Sequence, residues 1–537
     1  MRLTRRTTLA AGAAALALPR PALAQADQRP TLTIAVQKIS NSNTFETPRE
    51  QSNVGFRLFY SYAETLIDSD WLGALTPSPG LATAWRRIDD RVVEFDLREG
   101  VRFHDGRVME AEDVVFSFTR RLYGSGAVPP GTNASVTAGA DSKEPPREVV
   151  ATGRLTFPGF ERIEVVRPGV VRFVNRVPDV TLEGRIQQNV GVVLSAAAYD
   201  AAPNWLAWAR APVGTGPYRI ASFRPDVELV LEAHDDYWGG RPPARRLRFI
   251  EVPEVSARIA ALLSGEADFA CDIPPDQIVT VERNGRFEVL GSPINNIRIL
   301  AFDKTHPVLA DARVRRALTH AVDRDAIVAA LWSGRTRVPK GLQLEGYGEM
   351  FLADWANPRF DPDEARRLLR EAGYRGEPIP YRLLNNYYTN QVANAQIMVE
   401  MWKAVGLNVE ILMRENWTQI QDRSSPRGIR DWSNTSLFND PVSGLVRGMG
   451  PRGELQRQGE WTNDAFNALV PVLETSTDRG ERRRAFRRML EIIEREDPGY
   501  MVLHQAGTFT AKRRDIRWRA SNGWAMDFRA RNLAFPA

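Results

Sequence analysis

The sequence predicts a mixed α/β protein that folds as more than one lobe. Its 537 residues correspond to three or four domains or lobes at about 150 residues each. Strand and helix patterns are mixed over the whole length, and no repeat of roughly 20–50 residues recurs, which argues against a solenoid or a propeller. With 43% hydrophobic and 26% charged residues, the chain can bury large cores.

Strands are predicted where apolar side chains alternate with polar or small ones. Leu32, Ile34 and Val36 give the first strand, because every second side chain of a strand points to the same face. Residues 93–97 repeat the alternation, and a further strand is predicted near residues 170–174.

Helices follow from apolar residues spaced at i, i+3, i+4 and i+7. The clearest begins after Asp361, which offers an N-cap, with Pro362 at the first helical position. Gly373 can end this helix in a left-handed conformation. The same spacing predicts further helices at residues 259–263, 314–321 and 486–493.

The first 24 residues have the order of a secretory signal. Arg2, Arg5 and Arg6 precede an apolar run over residues 9–18, and Ala22-Leu23-Ala24 supplies a small-x-small cleavage site. Ten apolar residues are too few to cross about 30 Å of hydrocarbon as a helix. The segment TRRTTL at 4–9 resembles a twin-arginine export signal, and an ordinary Sec signal is the alternative. We therefore expect export to the periplasm with cleavage after about Ala24.

The charge balance argues against nucleic acid as a partner. The chain has 71 Lys and Arg against 66 Asp and Glu, a formal net charge of +5. Four of the arginines lie in the predicted signal, so 67 basic residues remain against 66 acidic ones after its removal. Near neutrality gives no basic tract for a polyanion.

No motif for catalysis or for a cofactor is present. The single cysteine, Cys271, excludes a disulfide scaffold and a Cys-rich zinc site, and five scattered histidines leave little for a metal centre. The hydrolase elbow G-x-S-x-G, the zinc motif H-E-x-x-H and a Walker P-loop are all missing. GMGPRG at 448–453 fits G-x-G-x-x-G only formally, because it contains proline and no strand precedes it. We expect no enzyme, no cofactor and no metal site.

Several ordered motifs resemble one family. They are LATAW (81–85), FDLREGVRFHDG (95–106), AEDVVFS (111–117), PVGTGPY (212–218), DYWGG (236–240), Arg258 through GEAD (265–268), VRRAL (314–318), AVDR (321–324) and the helix at 361–374. This series resembles the family 5 extracellular solute-binding proteins, the peptide/nickel type that supplies ABC importers. The matches extend from about residue 60 to about residue 500.

The resemblance implies a type II periplasmic binding protein of two lobes that close on a hinge. Hinge strands are then expected near residues 296–302 and 503–509. The implied organisation is a signal peptide at 1–24, lobe I at 25–70, an inserted subdomain of lobe I at 71–194, lobe I again at 195–293, lobe II at 294–504 and a C-terminal part of lobe I at 505–537.

The implied function is capture of a peptide or a peptide-like small polar solute in the periplasm. The implied partners are the transmembrane permease of an ABC importer and its separate ATPase subunits, and the protein is expected to be a monomer. An exported hydrolase of a peptide-like substrate and a periplasmic holder of unfolded peptides are the alternatives.

Candidate ligand contacts are polar and aromatic side chains, because buried polar ligands need hydrogen bonds and apolar walls. On lobe I they are Asn41 and Asn43. On lobe II they are Tyr387, Trp417, Trp432, Asn434, Asn439, Asp440 and Trp461. The sequence also predicts that Asp440→Ala abolishes ligand binding and leaves the stability of the empty protein unchanged.

One departure from the family pattern concerns the cargo. In peptide-binding relatives an acidic side chain about four residues before the loop proline pairs with the peptide α-ammonium, and that spacing places Leu437 here, ahead of Pro441. Asp440 or Asp431 is a possible substitute, and a cargo without an amine is the other possibility. Arg447 is a possible partner for a cargo carboxylate, although a solvated arginine is the commoner case. Nickel is not favoured, because histidine is sparse.

Overall fold

The computed structural model describes residues 27–125, 141–385 and 387–536. The predicted signal segment lies outside these residues. Within them, no helix combines the length and the apolar character that crossing a bilayer requires.

The strands and helices alternate as the sequence predicts. The strands are β1 (Thr31–Val36), β2 (Glu64–Thr65), β3 (Ile67–Ser69), β4 (Pro77–Pro79), β5 (Ala82–Asp89), β6 (Val92–Leu97), β7 (Phe160–Arg167), β8 (Val170–Asn175), β9 (Val192–Val193), β10 (Tyr218–Arg224), β11 (Glu228–Ala233), β12 (Arg246–Glu251), β13 (Phe269–Ala270), β14 (Phe287–Phe302), β15 (Ile379–Leu384), β16 (Val409–Arg414), β17 (Ile429–Thr435) and β18 (Tyr500–Arg513).

The α-helices are α1 (Asn53–Tyr62), α2 (Ala111–Phe118), α3 (Arg120–Tyr123), α4 (Arg147–Thr156), α5 (Leu182–Ile186), α6 (Ala196–Ala201), α7 (Trp205–Arg210), α8 (Val255–Ser264), α9 (Pro275–Glu282), α10 (Ala312–His320), α11 (Arg324–Trp332), α12 (Pro362–Ala372), α13 (Gln391–Ala404), α14 (Trp417–Gln421), α15 (Arg447–Met449), α16 (Glu454–Arg457), α17 (Asp464–Thr475) and α18 (Arg479–Leu490). Short 3-10 turns lie at Asn189–Gly191 and Glu345–Met350, and π-helical turns at Val442–Val446 and Glu491–Glu496.

The best-signalled helix confirms its prediction in detail. The Asp361 carboxylate accepts a hydrogen bond from the backbone N–H of Glu364, which satisfies a donor that the first turn of α12 leaves open. Gly373 ends the helix at a φ of 70°, in the left-handed region that glycine enters without steric cost. The predicted helices at 259–263, 314–321 and 486–493 correspond to α8, α10 and α18 with its π-helical extension.

One ten-stranded sheet runs through the molecule in the order β10-β11-β12-β1-β13-β18-β14-β17-β15-β16. Strands β10 to β13 and β1 form the lobe I half, and β17, β15 and β16 form the lobe II half. The two long antiparallel strands β14 and β18 belong to both halves. They are therefore the connection about which the halves can move.

The pairing of β14 with β18 is interrupted at two steps, and the larger interruption lies between Pro293 and Ile297 of β14. Pro293 pairs with Gly507, and the next pair is Ile297 with Gln505, so three residues of β14 face a single residue of β18. A bulge of this kind bends a strand and increases its local twist. The predicted hinge at 296–302 starts at this step, but all of residues 296–302 already pair with β17 inside the lobe II half.

Lobe II has a layer of helices on each face of its sheet. Ile297 and Ile299 of β14 pack with one apolar cluster, which contains Trp461 and Phe486. Leu300 lies on the other face, in a cluster with helices α10, α12 and α13. This alternation follows from the two-residue period of a strand. Lobe I has its own core, and the antiparallel sheet β5-β6-β8-β7 of the inserted segment has another.

Candidate functional site

A cavity of about 300 Å³ lies between the two lobes. Lobe I contributes residues 41, 49–53 and 56, with Leu155 from α4. Lobe II contributes the loop after β15, helices α14 to α16 and strand β17. A second chamber of about 100 Å³ shares Asn53, Tyr387 and Tyr388 with the first one. The two chambers are therefore adjacent, and together we call them the inter-lobe cleft.

The lobe I wall is organised by the buried carboxylate of Glu50, whose exposed fraction is 3%. It accepts hydrogen bonds from the backbone N–H groups of Asn41 (3.2 Å) and Ser42 (2.8 Å) and from the hydroxyl of Ser40 (2.7 Å). The hydroxyls of Ser42 and Ser52 also donate to it. Because a carboxylate accepts about four hydrogen bonds, these five donors satisfy it fully.

Helix α1 begins at this wall. Ser52 is its N-cap and accepts a hydrogen bond from the backbone N–H of Gly55 at 3.1 Å. The first turn carries no acidic side chain, but the Glu50 carboxylate, which accepts a hydrogen bond from the Ser52 hydroxyl, lies at this end of the helix. Asn53 is 9% exposed and lines both chambers.

An aromatic cluster forms part of the lobe II wall. The rings of Tyr387 and Tyr388 are 4.8 Å apart, and Trp417 packs edge-on against Tyr387 at 5.2 Å. The guanidinium of Arg298 lies 3.2 Å from the ring centre of Tyr388 and also pairs with Asp431 at 2.8 Å. The buried ion pair between Arg298 and Asp431 therefore supports the aromatic cluster from the side away from the cavity.

Trp432 continues this wall from strand β17. Arg430 lies 4.9 Å from its ring centre, and Glu460 holds Arg430 through two hydrogen bonds of 2.6 and 2.7 Å. Both charged residues are about 1% exposed. Their charges are matched inside lobe II and are not available to a ligand.

Arg447 is different, because it lies at the cavity without an acidic partner. Its guanidinium donates to the side-chain oxygen of Gln51, across the cleft, at 2.8 Å. Among the residues that the structure describes, no carboxylate forms a salt bridge with it. Burial lowers the pKa of Arg447 to about 10, because loss of water disfavours the charged form.

Further contacts join the two lobes around the cleft. Arg185 of α5 pairs with Glu474 of α17 at 3.1 Å, and both side chains are largely buried. Gln37 donates to the backbone oxygen of Tyr387 at 3.1 Å, and Asn41 donates to the Tyr387 hydroxyl at the same distance. The structure is therefore a closed arrangement of the lobes.

Five of the nine predicted site residues line the cavity: Asn41, Tyr387, Trp417, Trp432 and Asn434. Asn434 donates to the backbone oxygen of Gly444 at 3.0 Å, which leaves its side-chain oxygen for a ligand. The structure thus brings together three of the four aromatic candidates of lobe II and one amide from each lobe.

The other four predicted residues lie elsewhere. Asn43 is an exposed residue with a φ of 54°, and Asn439 donates to the backbone oxygen of Ala74 at 2.8 Å. Asp440 forms a two-fold ion pair with Arg482, at 2.8 and 2.9 Å. These are corrections to the expected ligand contacts, because the polar groups of Asn439 and Asp440 are occupied by protein partners and Asn43 faces outwards.

Trp461 is also corrected. It is 2% exposed within the lobe II core and donates from its indole nitrogen to the backbone oxygen of Asp497 at 2.9 Å. A tryptophan at this position packs the lobe and does not reach the cleft.

Sequence reasoning missed Glu50 and Asn53, and it named Arg447 as a possible carboxylate partner without including it among the site residues. A local signal existed for the first two, since Ser52 precedes an apolar helix in the way that an N-cap does. For Arg447 the deciding fact is that no carboxylate of the described residues forms a salt bridge with it, and one sequence does not reveal that.

Comparison with known proteins places this cleft in context. A family model described as "Bacterial extracellular solute-binding proteins, family 5 Middle" matches residues 76–448, more than half of the chain. The chain is 24% identical over 475 residues to the dipeptide-binding protein of Escherichia coli (strain K12), across 83% of this chain and 84% of that protein.

Solved structures show the same fold. A dipeptide-binding protein from Pseudoalteromonas sp. SM9913 in complex with Met-Leu matches with a TM-score of 0.81 at 22% identity, over 94% of this chain and 100% of that chain. A periplasmic binding protein of an ABC transporter from Helicobacter pylori, in complex with the peptide STSA, matches with a TM-score of 0.80 at 19% identity, over 94% and 98% of the two chains. The predicted two-lobed fold is confirmed.

Proposed function

We propose that this chain, which belongs to the bacterial extracellular solute-binding proteins of family 5, is the substrate-binding component of an ABC importer. It captures a peptide or a peptide-like small polar solute and delivers it to the membrane permease. The similarity to proteins described as peptide-binding supports the class of cargo.

The single observation that carries the proposal is a polar and aromatic cavity lined by both lobes. A solute in this cavity contacts both walls only when the lobes are closed. Binding therefore shifts the population towards the closed form, with β14 and β18 as the connection that bends. The permease recognises the closed form.

The remaining sequence predictions fit this function and form part of the proposal. The precursor carries a signal peptide over residues 1–24, of the twin-arginine kind, and the mature protein is a periplasmic monomer. Lobe I comprises residues 25–70, 71–194, 195–293 and 505–537, and lobe II comprises 294–504. ATP hydrolysis belongs to separate subunits that act with the permease.

The test is to purify the protein from its native periplasm and to identify by mass spectrometry what is bound. We expect a small polar solute that is released chemically unchanged and that raises the melting temperature of the empty protein. At 100 times its Kd, a ligand stabilises the folded state by about 2.7 kcal/mol. Turnover of the solute would show an enzyme instead, and weak binding of many peptides with little thermal shift would show a peptide holder.

A further inference from the structure

The charges at the cavity wall are mostly matched by other protein charges. Of the six charged residues that line it, Arg430 pairs with Glu460, Arg457 with Glu454 at 2.6 Å, and Arg49 with Glu148 at 3.5 Å. Glu50 and Arg447 remain, one on each lobe. Asp272, the acidic residue of the second chamber, pairs with Arg57 at 2.7 Å. The nature of the cargo therefore depends on which of Glu50 and Arg447 is open to a ligand.

Glu50 is not open. Two backbone N–H groups and three hydroxyls already donate to its oxygens, and all five belong to the segment 40–52. An incoming ammonium group would have to displace these donors and leave buried N–H groups without acceptors, which is unfavourable. Glu50 therefore shapes the lobe I wall and does not serve as an amine anchor.

Arg447 is open. A guanidinium has five N–H donors, and the contact with Gln51 uses one nitrogen, Nη2. Within the described parts of the chain it has no other hydrogen-bond partner, and it lies half-buried at the cavity. A half-buried cation without a salt-bridge partner attracts an anion into the cavity.

The start of α1 adds to the same preference. Asn53 opens this helix, is nine-tenths buried, lines both chambers and has no side-chain hydrogen bond with any residue that the structure describes. Its amide N–H group can donate to an anion from the lobe I side of the cavity. Lobe I and lobe II therefore offer donors to the same negative group.

We infer that the cargo carries a carboxylate, held between Arg447 and the start of α1, and has no free ammonium group. The planar guanidinium fork matches the two oxygens of a carboxylate. Because Gln51 of lobe I orients Arg447 of lobe II, the carboxylate completes a contact that exists only in the closed form. This inference rests on the proposed function and narrows its cargo to N-blocked or amine-free acids.

The experiment uses small molecules extracted from the native periplasm, in three portions. One portion is untreated, one is acetylated so that every amine is blocked, and one is coupled to methylamine with a carbodiimide so that every carboxylate is neutralised. We expect the untreated and the acetylated portions to raise the melting temperature of the stripped protein equally, and the amidated portion to have no effect.

Variants at Arg447 test the residue itself. In Arg447→Gln the extract concentration for a half-maximal thermal shift should rise at least thirtyfold, and in Arg447→Lys the rise should be smaller because the charge is kept. Each shift is measured against the melting temperature of the same empty variant, so a change in stability does not affect the result. Arg484→Gln is the matched control, since Arg484 is exposed on α18 and does not line the cavity. Its extract concentration for a half-maximal thermal shift should stay within twofold of that of the parent protein.

The outcomes separate this inference from the function on which it rests. Three results would overturn the inference of an amine-free carboxylate cargo: loss of the thermal shift on acetylation, its retention on amidation, or an unchanged half-maximal concentration in Arg447→Gln. Each would leave the proposed function as a solute-binding protein intact. No shift with any portion, or chemical conversion of the bound solute, would overturn the proposed function and the carboxylate with it.

Discussion

The two walls of the cleft are built in different ways. Nearly all of the lobe I wall comes from one continuous stretch, residues 41–56, in which Glu50 gathers the backbone and hydroxyl donors around it. The lobe II wall is assembled from five separated stretches between residues 387 and 457. A continuous stretch carries its own hydrogen-bond partners, whereas an assembled wall depends on partners that lie far away in sequence.

This difference explains why charged residues of lobe II have opposite roles. Asp440 and Arg447 are seven positions apart, before and after the same π-helical turn. Asp440 meets Arg482 of α18, 42 residues further along, whereas Arg447 meets no acid among the described residues and contacts the other lobe. The fold, and not the local sequence, decides which of the two is available to a ligand.

The largest expected effect is on the ion pair between Asp440 and Arg482 of lobe II. Asp440→Ala leaves Arg482 without its counter-charge, and breaking a buried ion pair lowers the free energy of unfolding by about 3–5 kcal/mol. Urea unfolding measures this loss, and the thermal shift caused by the native extract should remain. Both expectations reverse the one drawn from the sequence.

Asp363→Ala is the control for that variant. Its carboxylate pairs with Arg366 but is 94% exposed, so the change should be below about 0.5 kcal/mol. Equal losses in the two variants, or a ligand response that Asp440→Ala abolishes, would contradict the assignment of Asp440 to the lobe II framework.

On lobe I the corresponding variant is Glu50→Ala. It removes the acceptor of five donors at once, although the three hydroxyls can turn to other acceptors or to water. We expect a loss of about 2 kcal/mol in unfolding free energy, since a buried donor left without a partner costs about 1–3 kcal/mol. Ligand affinity should fall as well, because the wall at residues 41–53 loses its shape. Glu50→Gln should fall between the parent and Glu50→Ala, and the reverse order would contradict the role of the carboxylate as an acceptor.

The contrast between partners that are close in sequence and partners that are distant also shows how much the sequence could predict. The helix α12, its Asp361 cap and its Gly373 end were predictable, because every determining residue lies within 13 positions. The lobes and their order came from the resemblance to a family. Among the aromatic candidates, Trp417 and Trp461 were equivalent in sequence, yet one reaches the cleft and the other packs between α17 and the lobe II sheet. Burial of that kind depends on contacts between distant segments.

Those two tryptophans give the third test. Trp417→Ala removes one ring of the aromatic cluster and should weaken binding of the native extract by about 1.5–2 kcal/mol, which is roughly 10- to 30-fold. Trp461→Phe should lower the melting temperature through loss of packing and of the hydrogen bond to Asp497, with no change in affinity. If Trp461→Phe weakened binding as much as Trp417→Ala, both rings would have to contact the ligand. That result would contradict the assignment of Trp461 to the lobe II core.

The smallest expected effect concerns the junction behind the lobe II wall. His504 lies in β18 opposite Arg298 of β14, the residue that supports Tyr388 and pairs with Asp431. It is 1% exposed, and its ring Nδ1 donates to the backbone oxygen of Gln505 at 2.8 Å in the neutral form. Burial lowers the pKa of His504 to about 3, because the charged ring cannot be hydrated there.

The sign of the pH effect follows from that pKa. Below the ordinary histidine pKa of about 6.5, the unfolded chain takes up a proton at His504 and the folded protein does not, so stability falls as the pH is lowered. Between pH 7.5 and 5.5 the parent should lose about 1.4 kcal/mol more than His504→Gln, in which the amide keeps a donor for the backbone oxygen. Urea unfolding at the two pH values isolates this difference, because every other titrating group is common to both proteins. An equal loss of unfolding free energy in both proteins would mean that His504 is hydrated in the folded state. Water would then reach β14 and β18, the strands that connect the two lobes.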